Sequence, residues 1–596
     1  MIDPATSLRP GLLADVHLAG ALSWADVHVA QKLGHLFGES DQRVQLALAL
    51  AVRSLRAGST CLELSRAHDL SVVTDEEADA LVPLELLPPL DLWRDLLAAS
   101  PLVSVGAAAA GQRPLRLVGD LLYLERYWQE ESLVAEQLRT RRSSRPDPVN
   151  ADLLAAADAQ LLSERVDADQ RLAALAPAQA YVSVVAGGPG TGKTHTLARL
   201  LAVLLRVLPA PVSIALAAPT GKAAMRMREA LTTETLDLPA DLAVDLGRLE
   251  ATTIHRLLGW VPGGGHRFAH NRSNPLPHDV VVIDETSMVN VTLMARLLEA
   301  LRPQARLVLV GDPDQLAPVE AGAVLADIVA APAPADGGAL PVVRLRSNHR
   351  SRAAIAELAE AVRAGDADHV LALIDAGLDG VTLAASAAQT DLREQATGTG
   401  LAMITAARAG AVGEALAALD QHRLLCAHRN GPFGVAAWSR QVEDWLLAAG
   451  AGFDPFDPWY AGRPVLVTQN NPELNVFNGD TGVVVNTADG LRVCFGRGGT
   501  SHHDVSPFLL DNVATIHAMT VHKGQGSQFD QVSVILPTPD SPLLTRQLLY
   551  TAITRAKSKV TLIGSAEALR QGVENSAQRA SGLAGRLAPD GHGLQQ

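Results

Sequence analysis

Residues Gly187–Thr194 read G-G-P-G-T-G-K-T, and the apolar run Tyr181–Ala186 leads directly into them. A strand, a glycine-rich turn and a helical stretch (Thr196–Leu205) make the context that a phosphate-binding loop requires. Glycines let backbone N–H groups turn inward around phosphate oxygens, and the helix N-terminus adds its positive end. Gly187, Gly188, Pro189, Gly190, Thr191 and Gly192 would form the cradle. Lys193 can reach the outer phosphates, and the Thr194 hydroxyl can ligate Mg²⁺. The stretch predicts binding of ATP or GTP on an α/β domain.

Outward from the loop, residues 150–335 keep an α/β pattern. Short apolar strands are expected at Val182–Ala186, Ser213–Ala217, Val280–Ile283 and Leu307–Val310, with helical stretches between them. That alternation implies a mostly parallel sheet covered by helices. Ala330–Ala339, rich in Ala, Pro and Gly, reads as a hinge to a second α/β unit over 336–461 and 513–570. Its strand candidates are Arg423–Ala427, Gln531–Leu536 and Val560–Ile563. Residues 462–512 differ: short β-like pieces (Pro464–Thr468, Thr481–Asn486, Leu491–Phe495) are broken by Asn-Gly, Asp-Gly and Gly-Gly turns. They predict a small inserted β-barrel. Residues 1–145 are Leu/Ala-rich with helical periodicity, as in Val44–Leu55 and Leu121–Leu138, and predict a helical domain. Arg139–Pro148 reads as a basic linker, and 571–596 as a polar, disordered tail.

A chain of 596 residues needs several cores. With 48% hydrophobic and 19% charged residues it has a globular composition. The net charge of −14 excludes a generally basic surface, so any nucleic acid must be gripped in a local groove. Cys61, Cys426 and Cys494 lie far apart, form no metal-like pair and fit a reduced compartment. No basic-then-apolar leader pattern and no membrane-length apolar run are present, so the expected location is the cytoplasm. Only six lysines occur (Lys32, Lys193, Lys222, Lys523, Lys557, Lys559) among 50 basic residues. Where lysine persists in so arginine-biased a chain, a compact ammonium is required, as at a phosphate site.

Further motifs carry the chemistry. Val280–Ser287 (V-V-V-I-D-E-T-S) delivers two carboxylates at a strand end. Asp284 suits Mg²⁺, and Glu285 suits polarising an attacking water. Leu307–Val319 (L-V-L-V-G-D-P-D-Q-L-A-P-V) presents Gln315 on a tight turn, where an amide can bond both γ-phosphate and water. Arg350, in N-H-R-S (Asn348–Ser351), and Arg555, in Y-T-A-I-T-R-A-K (Tyr550–Lys557), lie in the second unit. Guanidinium groups brought to the γ-phosphate from another domain act as arginine fingers and make domain closure depend on nucleotide.

The ordered set resembles the superfamily-1 DNA helicases. It adds A-P-T-G-K-A-A (Ala218–Ala224), T-T-I-H-R-L-L-G (Thr252–Gly259) and A-M-T-V-H-K-G-Q-G-S (Ala518–Ser527) to the motifs above. Within them it is most similar to the RecD family, the helicase subunits of RecBCD-type exonuclease complexes. The resemblance spans about 160–565 and extends weakly through G-S-T-C-L-E-L (Gly58–Leu64) and Y-L-E-R-Y-W-Q-E-E (Tyr123–Glu131). It implies two RecA-like motor domains, ATP and Mg²⁺ as cofactors, 5′→3′ travel on a strand from a duplex DNA end, and RecB-like and RecC-like partners. The N-terminal domain becomes the candidate for partner docking. By the same resemblance Gln170 reads adenine, and Lys193, Thr194, Asp284, Glu285, Gln315, Arg350 and Arg555 form the ATPase centre. Thr220, Lys222, Thr253, His255, Thr520, His522 and Lys523 touch the DNA strand. His349 and Gly524 depart from the family pattern, which commonly has an aromatic residue and Ser there. The loop Pro262–Pro277, with His266, Arg267, Phe268, His270 and Arg272, suits either the DNA path or an ordinary exposed loop. A stand-alone helicase, an RNA helicase and an ATP-binding regulatory subunit remain as alternatives.

Overall fold

The computed structural model describes residues 11–70, 80–108, 113–162, 166–261, 267–332, 340–347, 353–384, 389–497 and 501–588. The N-H-R-S motif with Arg350, most of the Ala330–Ala339 hinge and His266 lie outside the described residues.

The N-terminal unit is mixed rather than helical. Helices Leu12–Leu18, Trp24–Phe37, Gln42–Arg56 and Leu90–Ala99 pack with strands β1 (Cys61–Glu63), β2 (Val103–Val105), β3 (Leu115–Val118) and β4 (Leu121–Leu124), in sheet order β1-β4-β3-β2. The periodicity at Leu121–Leu138 merges two elements: β4 ends at Leu124, and the helix Glu125–Ser143 starts at the next residue. Nor is Arg139–Ser143 a solvated linker. It finishes that helix, and buried Arg141 donates to the carbonyls of Ala305 (2.8 Å) and Arg302 (3.0 Å). Those acceptors offset its desolvation and tie the helix to the first motor.

The first motor sheet contains β5 (Val182–Gly187), β6 (Ile214–Ala218), β7 (Ala251–Thr253), β8 (Val280–Ile283), β9 (Arg306–Gly311) and β10 (Val342–Leu345). All its pairs are parallel, in order β10-β5-β9-β8-β6-β7. Val280–Ile283 is buried throughout because helices cover both sheet faces, which explains an unbroken apolar run.

The second motor begins with β11 (Val381–Ala384) and β12 (His422–Cys426). It is interrupted by β13 (Pro464–Val467), β14 (Thr481–Thr487), β15 (Gly490–Gly496), β16 (His502–Val505) and β17 (Val513–Thr515). It resumes with β18 (Ala518–Thr520), β19 (Phe529–Ile535) and β20 (Ala556–Ile563), giving a parallel sheet of order β11-β20-β19-β12-β18. The interruption is an antiparallel sheet of order β16-β15-β14-β13-β17. Its ladder is linear, with β16 and β17 as edges among the described residues. Alternation divides its side chains: Val484, Val493 and Phe495 form a small core of their own, while Val483, Val485 and Cys494 pack against the helices Gln389–Arg408 and Val412–Gln421.

The tail expectation is corrected. Residues 571–588 are folded, and 589–596 lie outside the described residues. After the helix Ala566–Glu574 the chain returns to the N-terminal unit. Thr60 N–H donates to Ala580 O (2.9 Å), and Ser581 Oγ donates to Glu131 (2.9 Å) and Asp327 (2.8 Å). The helix Leu583–Leu587 buries Leu583 and Leu587 in the first motor's core. A polar, Gly-rich composition hides this because the segment is held by a few interior anchors rather than by a periodic apolar face.

Candidate functional site

The phosphate loop leaves β5 at Gly187 and enters the helix Lys193–Val207 through Gly192, which has φ 80°. Gly190, at φ 85°, likewise uses the left-handed region that glycine tolerates. Lys193 Nζ donates to the carbonyls of Gly187 (2.7 Å) and Gly188 (3.1 Å). Gln170, buried behind the loop, forms a capping box with Asp167 and donates from Nε2 to Thr191 O at 3.4 Å.

Asp284 and Glu285 follow β8. Asp284 accepts from the Glu285 N–H at 2.8 Å. Desolvation, then the adjacent Glu285 charge, raises Asp284 to about 7, with Lys193 pulling the other way. Glu285 is held at φ 49°, a left-handed conformation costly for a non-glycine residue. Beyond β9, Gln315 Nε2 donates to Asp312 Oδ2 (2.8 Å), and Tyr550 OH donates to the same oxygen (3.2 Å). Burial raises the Asp312 carboxyl, while Lys193 and the Gln315 amide lower it.

Tyr550 comes from the second motor and crosses the seam. A Cβ placed on Gly188 would lie 2.6 Å from its hydroxyl oxygen, so a larger residue there would displace Tyr550. Arg555, on the same side, is buried and donates to Thr551 O (3.0 Å), Ser527 O (3.2 Å) and Thr554 Oγ1 (3.2 Å). Burial lowers its pKa, opposed by the charges of Glu285 and Asp312 across the seam. Leu316 N–H donates to Thr551 Oγ1 (2.9 Å), and Gln525 Nε2 to Leu316 O (2.9 Å).

The other half of the seam is a cleft of about 580 Å³. Thr220, Lys222, His255, His522 and Lys523 line it, as do Phe268, Asn478 and Gln525. Thr253 and Thr520 are not part of its lining. Thr220, Thr253 and Thr520 accept from the N–H groups of Ala223, Arg256 and Lys523. Each hydroxyl that accepts in this way keeps its own proton to donate. Lys222 Nζ donates to Gly479 O (2.9 Å), and Lys523 Nζ to Asn478 Oδ1 (3.3 Å). Desolvation lowers the Lys222 ammonium to about 7, with Arg226 adding to the fall and Asp480 opposing it.

The structure thus gathers Lys193, Asp284, Glu285, Gln315 and Arg555 at one end of the seam. Five of the seven strand-contact candidates meet at the other. Of the 262–277 loop, Phe268 lines the cleft and stands 5.9 Å from the His255 ring. The sequence reading missed Asp312 and Tyr550, although both sit inside quoted motifs. It also read Asn478-Gly479 as a turn and nothing more; no local pattern reveals that this turn meets another domain. Among the described residues no cluster of His, Cys, Asp and Glu could hold a metal by itself, and no helix is long and apolar enough to cross a membrane.

Three family profiles match. The one described as RecBCD enzyme subunit RecD, N-terminal domain, covers residues 18–123; AAA domain covers 170–321; UvrD-like helicase C-terminal domain covers 515–563. The chain is 49% identical over 580 residues to the RecBCD enzyme subunit RecD of Mycolicibacterium smegmatis, spanning 96% of this chain and 99% of that protein. It is 48% identical over 590 residues to the protein of the same name from Mycobacterium tuberculosis (strain H37Rv), spanning 98% of each. Against the ATP-dependent RecD2 DNA helicase of Deinococcus radiodurans it is 31% identical over 530 residues, covering 87% of this chain and 65% of that one.

Proposed function

The chain belongs to the RecD family of RecBCD enzyme subunits, and on that premise we propose that ATP hydrolysis at its inter-motor seam drives 5′→3′ movement along one DNA strand. The protein is an ATP-hydrolysing DNA helicase that works with RecB-like and RecC-like subunits on duplex ends. The observation that carries the mechanism is the double span of the seam. Tyr550 and Arg555 of one motor meet the phosphate loop and Glu285 of the other, while both motors line the strand cleft.

In this reading Gln170 meets the adenine and Lys193 the outer phosphates. Glu285 accepts the proton of the attacking water as its oxygen bonds to the γ-phosphorus and the bond to the β-phosphate oxygen breaks. ADP and phosphate leave. Lys193 and Arg555 offset the negative charge that develops on the transferred group. Arg350 takes the same task by family resemblance. Thr194 and Asp284 would hold Mg²⁺, which supplies further charge neutralisation at the phosphates. The residues fit such an ion, since a desolvated carboxylate beside a second one gains most from a dication.

The loop 312–321 links the two ends. Asp312 and Gln315 face the nucleotide, and Pro318–Ala321 line the strand cleft. Gln525 touches both, through Leu316 O and the cleft wall. A change at the γ-phosphate is thereby passed to the wall that holds DNA. The N-terminal unit serves as the docking element for a partner subunit, the five-stranded insert closes over the strand, and the protein works in the cytoplasm.

The test is unwinding by the full chain, with and without co-expressed partners, on duplexes bearing 5′ or 3′ overhangs, alongside DNA-stimulated ATPase of wild type and Lys193→Gln. Unwinding only from 5′ overhangs, abolished in the variant, is expected. ATP binding without DNA-stimulated turnover would make this a regulatory subunit instead.

A further inference from the structure

The strand cleft does not end at the motif residues. Arg126 and Tyr127, from the N-terminal unit's helix Glu125–Ser143, line its wall together with Arg296 from the first motor's helix Val291–Ala300. A second cleft, of about 540 Å³, continues from it and shares Arg126 and Arg296. That second cleft also takes in Arg267 and Gln129. Three guanidinium groups thus run outward from the cleft in a chain whose net charge is −14.

Their placement is built. Glu130 is 4% exposed and sits beside Arg126 and Arg296. Its Oε2 accepts from Thr292 Oγ1 at 2.6 Å. Its Oε1 accepts from Arg126 Nε at 3.1 Å and lies 3.6 Å from Arg296 Nη2. One carboxylate, itself fixed across the domain boundary, therefore orients two arginines, and it lines the second cleft together with Glu299. Glu299 engages Arg296 from the side. Arg126 keeps half of its side chain in solvent, and Arg267 is exposed. Guanidinium groups held in this way suit phosphate oxygens.

We propose that the DNA strand leaving the motif-lined cleft runs along Arg126, Arg296 and Arg267, so that the N-terminal unit forms one bank of the DNA path. The inference rests on the helicase reading above. It adds to the motors a stretch of sequence-independent phosphate contact contributed partly by a domain outside them.

The experiment measures binding of the full chain to oligo-dT of increasing length, over a range of salt, for wild type and Arg126→Ala/Arg296→Ala. Wild-type affinity should rise in two stages, as the oligomer first meets only the motif side of the cleft and then reaches the arginines at its junction with the second cleft. The double variant should match wild type on the shortest binding oligomers, lose roughly tenfold on long ones, and show a salt slope smaller by about 1.4, two phosphates at ~0.7 each. Arg126→Lys/Arg296→Lys should restore most of the slope, and both variants should melt within a few degrees of wild type. Equal affinities at every length overturn the proposal, as does a uniform loss at all lengths. Intact DNA binding with lost assembly onto the RecB-like and RecC-like subunits would make the stripe a protein interface and also overturn it. A wild type that binds no single strand at any length would sink the helicase reading instead.

Discussion

The two ends of the inter-motor seam are built on opposite principles. At the nucleotide end, Gln170, Asp312, Gln315 and Arg555 are buried and hydrogen-bonded to named atoms. At the end proposed for the strand, Thr220, Lys523 and His522 are half-exposed and line an open cleft, although the Lys222 ammonium beside them is desolvated. A triphosphate has one shape and one reacting atom, so fixed, desolvated groups act strongly on it. A translocating strand presents a repeating backbone, and a grip that depended on one geometry would stall it. Buried, hydrogen-bonded groups thus back the proposed nucleotide site, while most of the proposed strand wall stays open.

Substitutions should separate the ends sharply. Arg555→Lys keeps a charge but cannot reproduce three guanidinium hydrogen bonds, and should lower DNA-stimulated kcat by ~10³; steady-state ATPase at saturating DNA measures it. A drop below tenfold would remove Arg555 from the reaction. Tyr550→Phe should come next, with kcat down several-fold, because Asp312 loses a donor worth about 1 kcal/mol. A variant with normal turnover would show that this cross-seam bond is structural only. At the strand end, Lys523→Ala should raise the DNA concentration for half-maximal ATPase a few-fold and reduce the salt slope by ~0.7. If it lowered turnover more than affinity, the contrast between the ends would fail.

The smallest expected effect is on pH-dependent stability. Asp327 is raised to about 7, burial being the main cause and the Glu131 charge adding to it, while Ser581 and Arg579 oppose. Between the free-aspartate value of 3.8 and about 7 the folded protein holds a proton that the unfolded chain has released. Stability therefore falls as pH climbs through that window. Asp327→Asn removes the dependence, so its Tm advantage over wild type should grow between about pH 5 and pH 7 and stay level above. A constant offset across that range would show that Asp327 does not titrate there.

Where function rides on a contiguous pattern, the residues announced it. The run into G-G-P-G-T-G-K-T placed β5, the loop and its helix, and V-V-V-I-D-E placed β8 and its carboxylates. Strands buried on both faces are apolar throughout, so they are easily found. The failures share a cause as well. β7, β16 and β17 are short or half-exposed, so they carry no strong period. Arg141, in a run that reads as solvated linker, donates to carbonyls more than 150 positions away. Tyr550 sits in a recognised motif, yet its partner Asp312 is known only once two domains are apposed. Local pattern determines which elements exist; long-range pairing determines which of their side chains matter.

The returning segment 575–588 has a consequence for biogenesis. It leaves the ribosome after everything it binds: Ser59, Thr60 and Glu131 in the first quarter of the polypeptide, and Pro318 and Asp327 near its middle. The joint between the N-terminal unit and the first motor, already tied by Arg141 and Glu130, therefore gains its last set of ties only after the second motor has been translated. A nascent chain paused before that point exposes the groove that Leu583 and Leu587 fill, an invitation to chaperones that vanishes when the latch drops.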